Sequence, residues 1–260
     1  MVGVDFRQGQ VGTIARLERS MLTSWPALST AFDGDWVIRL ADGVTKRSNS
    51  ITCLGDDDTD LEARIDRTAE VYRGRGLPPI FRLSPLAPPA LDASLERRGW
   101  RRFDETIMMT ADLDEIISRL AGAPDHHVDI DTAADRTWIA SCFRLDRAQA
   151  NEFVTLEAML NRLVPSAGYG RIGGDRIDAL ALLVIDHELA GLFEVLTVKE
   201  KRRQGLARTL LRELFAWSQV QGARTGWLAV VADNQPAVRL YQSLGFREVY
   251  RYHYRSVGLP

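Results

Sequence analysis

The chain has 260 residues, of which 45% are hydrophobic and 26% are charged, and its formal net charge at pH 7 is −2. This is the composition of an ordinary globular protein, and the length suits two domains of about 130 residues each. The near-neutral charge excludes the basic footprint of a nucleic-acid-binding protein, and no apolar run approaches the length of a membrane span. We therefore expect neither nucleic acid nor a membrane as a partner.

The first ten residues, MVGVDFRQGQ, lack the basic and hydrophobic regions of a secretory signal. Cys53 and Cys142 are the two cysteines of the sequence, and their spacing fits neither a metal site nor a redox motif. A cytoplasmic, reducing location is therefore expected. Cys142 lies in the apolar run WIASCF without an activating neighbour, which indicates a buried structural cysteine rather than a nucleophile.

Apolar periodicity predicts alternating helices and strands in the first half of the chain. Residues 121–127, AGAPDHH, are small and turn-prone, which indicates a boundary between two domains, 1–122 and 123–260. The predicted elements of the first half are a helix at 11–28, strands at 35–41 and 45–54 joined by a turn at 42–43, a helix at 61–72, a strand at 79–85, a helix at 90–98 and a strand at 101–113.

The second half shows a similar alternation. The order strand, proline-led helix, Gly-aromatic pair, strand occurs near the end of each half, which favours a duplicated domain. The predicted elements are helices at 136–145 and 151–164, strands at 167–172, 178–186 and 189–198, a helix after a basic loop near 205, a strand at 225–232, a helix at 236–244 and a strand at 247–255.

The basic loop lies in the stretch VKEKRRQGLARTLLRELFAW, residues 198–217. Acids are favoured at helix starts because the exposed N–H groups carry partial positive charge, so cations there indicate an anionic ligand. Residues 202–207, RRQGLA, fit the pattern R/Q-x-x-G-x-G/A, in which small residues let the backbone cradle a phosphate or diphosphate. Arg203 and Arg208 add charge around the same anion. The alternative is a solvated basic helix start.

Two other phosphate-binding motifs do not fit this loop. A Walker loop ends in Gly-Lys-Ser/Thr, whereas Leu206-Ala207-Arg208 offers no group that could hold magnesium. A dinucleotide-binding fold needs three glycines and a downstream acid, and only Gly205 is present here.

The loop, with EVLTV upstream and ADNQPAVRLYQSLGF downstream, resembles the GNAT superfamily of acetyl-CoA-dependent N-acetyltransferases. The resemblance extends from about residue 128 to residue 255 and is most specific between Phe193 and Phe246. It implies an α/β (α+β) fold, the GNAT fold, in which helices flank a mixed central sheet, here in two tandem units. It also implies that an acetyl group passes from acetyl-CoA to a primary amine by direct attack in a ternary complex.

The resemblance also implies roles for individual residues. In GNAT enzymes the strand before the loop splays from its neighbour and binds the pantetheine arm, here through Val195, Leu196 and Thr197. The N–H of Leu196 is expected to hold the thioester oxygen as it becomes an oxyanion. Asn234 matches an asparagine that contacts the pantetheine arm. The diphosphate is expected on the loop residues Arg203, Gln204, Gly205, Leu206, Ala207 and Arg208.

Two side chains are candidates for proton transfer. Tyr241 matches the tyrosine that protonates the departing thiolate, a transfer that is uphill by roughly 2 kcal/mol between a tyrosine pKa of ~10 and a thiol pKa of ~8.5. The alternative is an aromatic side chain of the apolar stripe. Glu194 is the first choice for the general base, with a solvent-exposed strand acid as the alternative. Some protein-acetylating relatives carry a glutamate at the position of Ala229, and this departure argues against copying their mechanism or peptide substrates.

The first half lacks a comparable anion site. Its matching loop reads GDDDTD, whose aspartates would repel a diphosphate, so we expect this half to wall the acceptor pocket instead. The segment TKRSNS resembles a signature of bacterial GNAT-like proteins of similar length. Its Lys46, Arg47 and Asn49 are candidates to contact a carboxylate or polar acceptor, and a solvated polar strand is the alternative.

The leading functional prediction is acetyl transfer to an amine of a small metabolite. A protein or peptide amine is the alternative within catalysis, and a non-catalytic acyl-CoA-binding sensor is the alternative from another class. The presence of both Asn234 and Tyr241 disfavours the sensor, because a pure binder has less use for an acid that protonates a thiolate. The sequence leaves the oligomeric state open.

Overall fold

The structure, a computed structural model, describes residues 6–145, 151–174 and 176–257. Contacts divide the chain into two compact units. The first unit takes in residues 1–107, 231–233 and 249–260, and the second takes in residues 108–230 and 234–248. Each unit contains a sheet with both parallel and antiparallel pairs and helices beside it, which confirms the predicted fold class.

From the N-terminus, the first elements are α1 (Phe6–Ser24), β1 (Ser29–Asp33), β2 (Trp36–Leu40), β3 (Ile51–Cys53), α2 (Leu61–Arg73), β4 (Ile80–Leu83), α3 (Pro89–Arg97) and β5 (Arg101–Asp112). The remaining elements are α4 (Leu113–Leu120), β6 (Asp129–Asp131), α5 (Arg136–Leu145), α6 (Asn151–Leu160), β7 (Ser166–Ile172), β8 (Ala179–Asp186), β9 (Leu189–Thr197), α7 (Leu206–Val220), β10 (Thr225–Val231), α8 (Gln235–Ser243) and β11 (Arg247–Ser256).

The sheet of the first unit buries an apolar face against α2 and α3. β2 pairs antiparallel with β1 and β3, β3 pairs parallel with β4, and β4 pairs antiparallel with the end of β11. Alternate strand residues point to the same face, and the apolar set meets the helix residues spaced at three and four positions. The cluster comprises Trp36, Ile38, Leu40, Ile51, Cys53, Ile65, Ala69, Tyr72, Phe81, Leu83, Leu91, Leu95 and Trp100.

The sheet of the second unit is a meander that ends in a parallel pair. β6, β7, β8 and β9 pair antiparallel in sequence, and β9 then pairs parallel with β10. Helix α7 lies close on this sheet at Gly170, where an added Cβ would stand 2.8 Å from Leu210 and 3.0 Å from Leu214. The glycine therefore allows the helix to approach the strand, which positions the start of α7 beside the end of β9.

The units do not follow the predicted boundary between residues 122 and 123. Residues 108–122 belong to the second unit and residues 249–260 belong to the first. Strands β5 and β11 thus each begin in one unit and end in the other, so the two sequence halves exchange their last strands. A pattern within either strand does not reveal which sheet it joins.

Hydrogen bonds account for this exchange. The N–H of Leu113 donates to the carbonyl of Arg224 at 2.9 Å, which ties the end of β5 to the second unit. The Arg255 guanidinium donates to Asp92 at 2.6 Å and to the carbonyl of Trp100 at 2.9 Å, which ties the end of β11 to the first.

The segment predicted as the domain boundary, residues 121–127, is packed within the second unit. The carbonyl of Pro124 accepts a hydrogen bond from Thr209 at 2.6 Å, and that of Ala123 accepts one from Arg212 at 3.1 Å. Helix α4 and strand β6, which flank this segment, were not predicted. The strand predicted at 45–54 is wrong for its first half, because residues 46–48 form a 3₁₀ turn and the strand covers only Ile51–Cys53.

Candidate active site

The parallel pairing of β9 with β10 stops before either strand ends. The register extends from Leu189 opposite Thr225 to Leu192 opposite Leu228. β9 continues for five more residues, to Thr197. Its last part therefore has no β10 partner on that edge, in agreement with the splay that the family resemblance implies.

A β-bulge lies where the two strands separate. β8 pairs Leu182 with Phe193 and then Leu180 with Leu196, so Glu194 and Val195 together stand opposite one β8 residue. Glu194 has a φ of 49°, in the left-handed region that a glutamate rarely adopts. A bulge of this kind changes the direction of the strand and of its peptide groups.

The register beyond the bulge decides which peptide groups face the open edge. The N–H of Val198 donates to the carbonyl of Asp178 at 2.8 Å, so it points toward the β8 side. Because N–H groups two residues apart in a strand share a direction, the N–H of Leu196 also points toward β8, its partner being Leu180. In this register the Leu196 N–H faces β8 rather than the open edge, and its role as oxyanion donor stays a prediction. The N–H of Thr197 and the carbonyl of Val195 face the open edge instead.

A cavity of about 960 Å³ lies in the second unit at this edge. Its size is typical of a site for a cofactor-sized ligand. It brings together the end of β9, the loop before α7 and one face of α8. The lining residues are Pro124, Val195, Leu196, Thr197, Lys201, Arg202, Arg203, Gln204, Gly205, Leu206, Ala207, Arg208, Asn234, Pro236, Ala237, Leu240 and Tyr241.

Helix α7 starts at the cavity without an acidic partner. Its N-cap residue is Gly205, with a φ of 85°, and no side chain caps the first N–H groups. The first turn contains no acid. Uncapped N–H groups and the helix dipole make such a start suited to an anion.

Cations surround this helix start without carboxylate partners. Among the residues that the structure describes, no ion pair joins an acid to Lys201, Arg202, Arg203 or Arg208. Two of them are held by backbone carbonyls, since Arg202 donates to Thr197 at 3.3 Å and Arg208 donates to Arg119 at 2.7 Å. These bonds hold the guanidinium groups near the cavity and leave further N–H donors free.

Gly205 is required by its backbone and by a neighbour. An added Cβ would stand 2.5 Å from Cγ of Pro124, in addition to the cost of the left-handed φ. The sequence motif predicted a glycine here for another reason, namely that a small residue lets the backbone approach a phosphate. The structure adds Pro124, which carries no motif of its own and was missed, as was the lining cation Lys201.

The start of helix α8 and the helix itself supply two further predicted residues of the cavity, Asn234 and Tyr241. Asn234 is the N-cap, and its Oδ1 accepts from the N–H of Ala237 at 3.3 Å, which leaves its NH₂ group for the cavity. Tyr241 is 8% exposed and contacts the Phe246 ring edge-on at a centroid distance of 5.9 Å. Burial raises the pKa of Tyr241 to about 12, so the phenol is protonated at neutral pH.

Glu194 does not line the cavity. It occupies the bulge directly before the lining residue Val195 and is partly buried. Its role as general base stays a prediction, and the structure adds only its place next to the open edge of β9.

The three predicted acceptor contacts lie in the first unit and serve its own loop. The Asn49 amide is buried, its Oδ1 accepting from the N–H groups of Ala41 and Gly43 at 2.8 and 3.0 Å. Its Nδ2 donates to the carbonyl of Val44 at 2.8 Å, among others. This amide therefore organises the turn that replaces the predicted strand, and it has no free group for an acceptor.

Lys46 and Arg47 remain partly exposed beside that turn. Lys46 is paired with Asp104, and its ammonium lies 5.7 Å from the centre of the Phe103 ring. The Arg47 guanidinium lies 4.9 Å from the centre of the Trp25 ring. Contact of either residue with an acceptor is still a prediction.

The sequence matches a family model described as "Probable histone acetyltransferase Rv0428c C-terminal" over residues 11–255. It is 28% identical over 246 residues to the uncharacterized N-acetyltransferase YobR of Bacillus subtilis (strain 168), covering 93% of this chain and 98% of that protein. It is 39% identical over 74 residues to the ribosomal protein bS18-alanine N-acetyltransferase of Salmonella typhimurium, covering 28% of this chain and 50% of that protein.

Solved structures share the fold over nearly the whole chain. A GCN5-related N-acetyltransferase from Kribbella flavida superposes with a TM-score of 0.68 at 16% identity, covering 95% of this chain and 96% of that one. A tandem GNAT protein from the clavulanic acid biosynthesis pathway superposes with a TM-score of 0.66 at 15% identity, covering 96% and 95%. No helix among the described residues is long and apolar enough to cross a membrane.

Proposed function

The chain belongs to the family described as probable histone acetyltransferase Rv0428c C-terminal and is a GNAT N-acetyltransferase, and we propose that its donor is acetyl-CoA and its acceptor a primary amine. One observation carries the proposal. A single cavity joins an unpaired strand edge, a basic helix start and the phenol of Tyr241. These are complementary to an extended amide chain, a diphosphate and a leaving thiolate, which are the parts of an acyl-CoA.

The donor fits the charge and the hydrogen-bonding groups of the cavity. The diphosphate would be held by the first N–H groups of α7 and by Arg203 and Arg208, which meet no described carboxylate. The amides of the pantetheine arm would pair with the Thr197 N–H and the Val195 carbonyl, as an added strand does at an open edge. The NH₂ group of Asn234 is a further donor from the opposite wall.

Acetyl-CoA would supply the activated acyl group as a thioester, and the protein would manage the protons. Tyr241 is proposed to give its proton to the departing sulfur. A phenol pKa of about 12 against a thiol pKa of ~8.5 makes that transfer uphill by about 5 kcal/mol. The same apolar surroundings raise the pKa of the thiol, which narrows this gap.

Glu194 is proposed to take the proton of the attacking amine, directly or through water. Glu194 lies in the bulge, directly before the lining residue Val195. On the facing strand, Ala229 is the first residue beyond the last paired position, and it has no titratable group. Of the two residues that flank the point where β9 and β10 separate, Glu194 and Ala229, Glu194 is therefore the one that can accept a proton.

The acceptor has two candidate classes. We propose the amine of a small metabolite first, because Ala229 departs from the glutamate that some protein-acetylating relatives carry there. A protein amine is the second candidate. It is favoured by the family description, which refers to histones, and by the relative that acetylates ribosomal protein bS18.

A thiol-release assay with acetyl-CoA tests the proposal and separates the acceptor classes. One set of acceptors contains amino acids, polyamines and amino sugars, and a second contains histone and ribosomal-protein peptides with free lysine or alanine amines. Turnover with the first set alone supports a metabolite acceptor, and turnover with the second alone supports a protein acceptor. Tight acetyl-CoA binding without turnover on either set would contradict the enzyme and support the acyl-CoA sensor.

A further inference from the structure

The sheet of the first unit has a second, polar face. Arg39 on β2 lies opposite Ser50, to whose carbonyl its N–H donates at 3.3 Å. In the neighbouring row Thr52 on β3 lies opposite Arg82 on β4, and Tyr254 on β11 lies opposite Arg82. Residues opposite one another share a face, so these side chains point away from the apolar cluster on α2 and α3. Each is at most 5% exposed.

The charges on this face do not balance. Arg82 is paired with Glu18 of α1, with Nη2 at 2.8 Å from Oε1, and the Tyr250 hydroxyl donates to the same carboxylate at 2.5 Å. Two buried guanidinium groups, those of Arg39 and Arg82, therefore have one buried carboxylate between them.

Arg39 has no acidic partner among the residues that the structure describes. Its guanidinium is 2% exposed and donates to the carbonyls of Arg47 at 2.9 Å, Leu22 at 3.3 Å and Trp25. Burial above all, and then the charge of Arg82, lowers the pKa of Arg39 to about 10. It is still charged at neutral pH. A buried charge without a counter-charge is costly, and proteins normally pair or neutralise it.

Three polar atoms on the same face have no hydrogen-bond partner in the described chain. They are Oγ of Ser50, Oγ1 of Thr52 and Nε of Arg82, all with less than 1 Å² exposed. Leaving a buried donor unsatisfied is unfavourable, and native structures rarely do so. All three atoms can donate a hydrogen bond.

We propose that this face binds a small monovalent anion such as chloride, held between Arg39 and Arg82 by the hydroxyls of Ser50 and Thr52. The anion supplies the missing negative charge and accepts from the unsatisfied donors. Water could satisfy the hydroxyls but would leave Arg39 without a counter-charge. The complete burial of Ser50 and Thr52 favours an ion of one or a few atoms over an organic acid. The site is independent of the proposed acetyl-CoA cavity, and its role is to stabilise the first unit.

Thermal unfolding of the full chain at constant ionic strength tests this proposal, with chloride replaced stepwise by gluconate. An ion that binds the folded state raises the Tm by about 3 to 5 °C per tenfold increase in concentration once its Kd is exceeded. Thr52→Val keeps the shape of the side chain and removes one donor, so the chloride dependence should fall. Thr68→Val is the matched control, because Thr68 is also buried but donates to the carbonyl of Arg64 on α2.

Arg39→Met removes the unbalanced charge and should abolish the chloride dependence; if it does not fold, Thr52→Val decides. A crystal grown in bromide gives a direct second measurement, in which an anomalous peak is expected between Arg39 and Arg82. A Tm that is the same in chloride and gluconate would overturn the proposal. So would an equal chloride dependence in Thr52→Val and Thr68→Val, or water without bromide at this position.

Discussion

The loop before α2 and the loop before α7 end at the same kind of N-cap and carry opposite charge. Each follows a strand and ends at an N-cap residue in the left-handed conformation with no side-chain cap, Asp60 with a φ of 53° and Gly205 with a φ of 85°. The first loop reads GDDDTD, and the second contains RRQG. The two helix starts thus present similar N–H groups to very different surroundings.

The difference shows that a shared N-cap conformation leaves the charge at a helix start to the neighbouring side chains. In the first loop an arginine of α2 serves the loop itself, since Arg64 donates to the carbonyl of Asp57 at 3.1 Å and to the Asp35 carboxylate at 2.7 Å. Its guanidinium also lies 4.4 Å from the centre of the Trp36 ring. Within the described part of the chain, the cations Lys201, Arg202, Arg203 and Arg208 of the second loop form no ion pair with an acid. We therefore propose that acetyl-CoA binds only at the second loop.

Separating the two sequence halves should have the largest effect. A fragment of residues 1–122 lacks Tyr250, which binds Glu18, and Arg255, which binds Asp92. A fragment of residues 123–260 lacks α4 and the end of β5, residues 108–112, which belong to the second unit. Neither fragment should show a cooperative thermal transition by circular dichroism, whereas co-expression of both should restore one. Independent folding of either fragment would contradict the exchange of strands.

Tyr241→Phe should lower kcat by about 10²- to 10⁴-fold while the Kd for acetyl-CoA hardly changes. The ring and its packing are kept, and only the proton is lost. In the wild type, a phenol pKa of about 12 means that this acid is protonated below that pH. Titration of Tyr241 should therefore cause no loss of kcat between pH 7 and 10. Full turnover in the variant would assign the acid to water or to another residue.

Reversing charge in the second loop should make it behave like the first. In Lys201→Glu/Arg203→Glu, acetyl-CoA affinity should fall by about 10- to 10³-fold, because two cations that line the cavity become anions that repel the diphosphate. Neither side chain makes a hydrogen bond in the described chain, so the Tm should change little. Calorimetric titration measures the Kd. The matched control, Asp56→Lys/Asp58→Lys in the first loop, should leave affinity and stoichiometry unchanged; an unaltered Kd in the first variant would show that the loop is only a basic helix start.

The two N-cap residues should respond differently to small substitutions. Gly205→Ala places a Cβ against Pro124 and at a left-handed φ, and should lower the free energy of unfolding by about 1–3 kcal/mol. Asp60→Gly relieves the same backbone strain but adds freedom to the unfolded chain, so it should change stability by less than about 1 kcal/mol. Urea denaturation measures both. Equal effects would mean that the Pro124 contact is unimportant.

Local chemistry was enough to predict much of the second unit. The bounds of α5 are those that its apolar pattern indicated, and α7, α8 and the strand β10 between them agree to within a few residues. The loop, Asn234 and Tyr241 were found through a motif, and the structure brings them to one cavity. Motif residues are readable because charge, glycine and spacing are local features.

Features that depend on how distant strands pair could not be predicted from the sequence. The alternating sequence of β11, REVYRYHYRS, does not specify which sheet the strand completes, and β6 is too short to show a period. The left-handed Glu194 gave no signal, so the bulge and the direction of the Leu196 N–H were missed. At Asn49, a polar side chain that suggested ligand contact instead replaces backbone partners in a turn, which is a common use of asparagine.

The stoichiometry of acetyl-CoA binding tests the comparison of the two loops most directly. Isothermal titration of the wild-type chain with acetyl-CoA should give one site per chain, and the Lys201→Glu/Arg203→Glu variant should weaken that same site. Two equivalent sites would contradict the account, because the aspartate loop would then bind a diphosphate as well as the arginine loop does. One site that is weakened by Asp56→Lys/Asp58→Lys and unaffected by the change at Lys201 and Arg203 would contradict it equally, since the donor would then bind in the first unit.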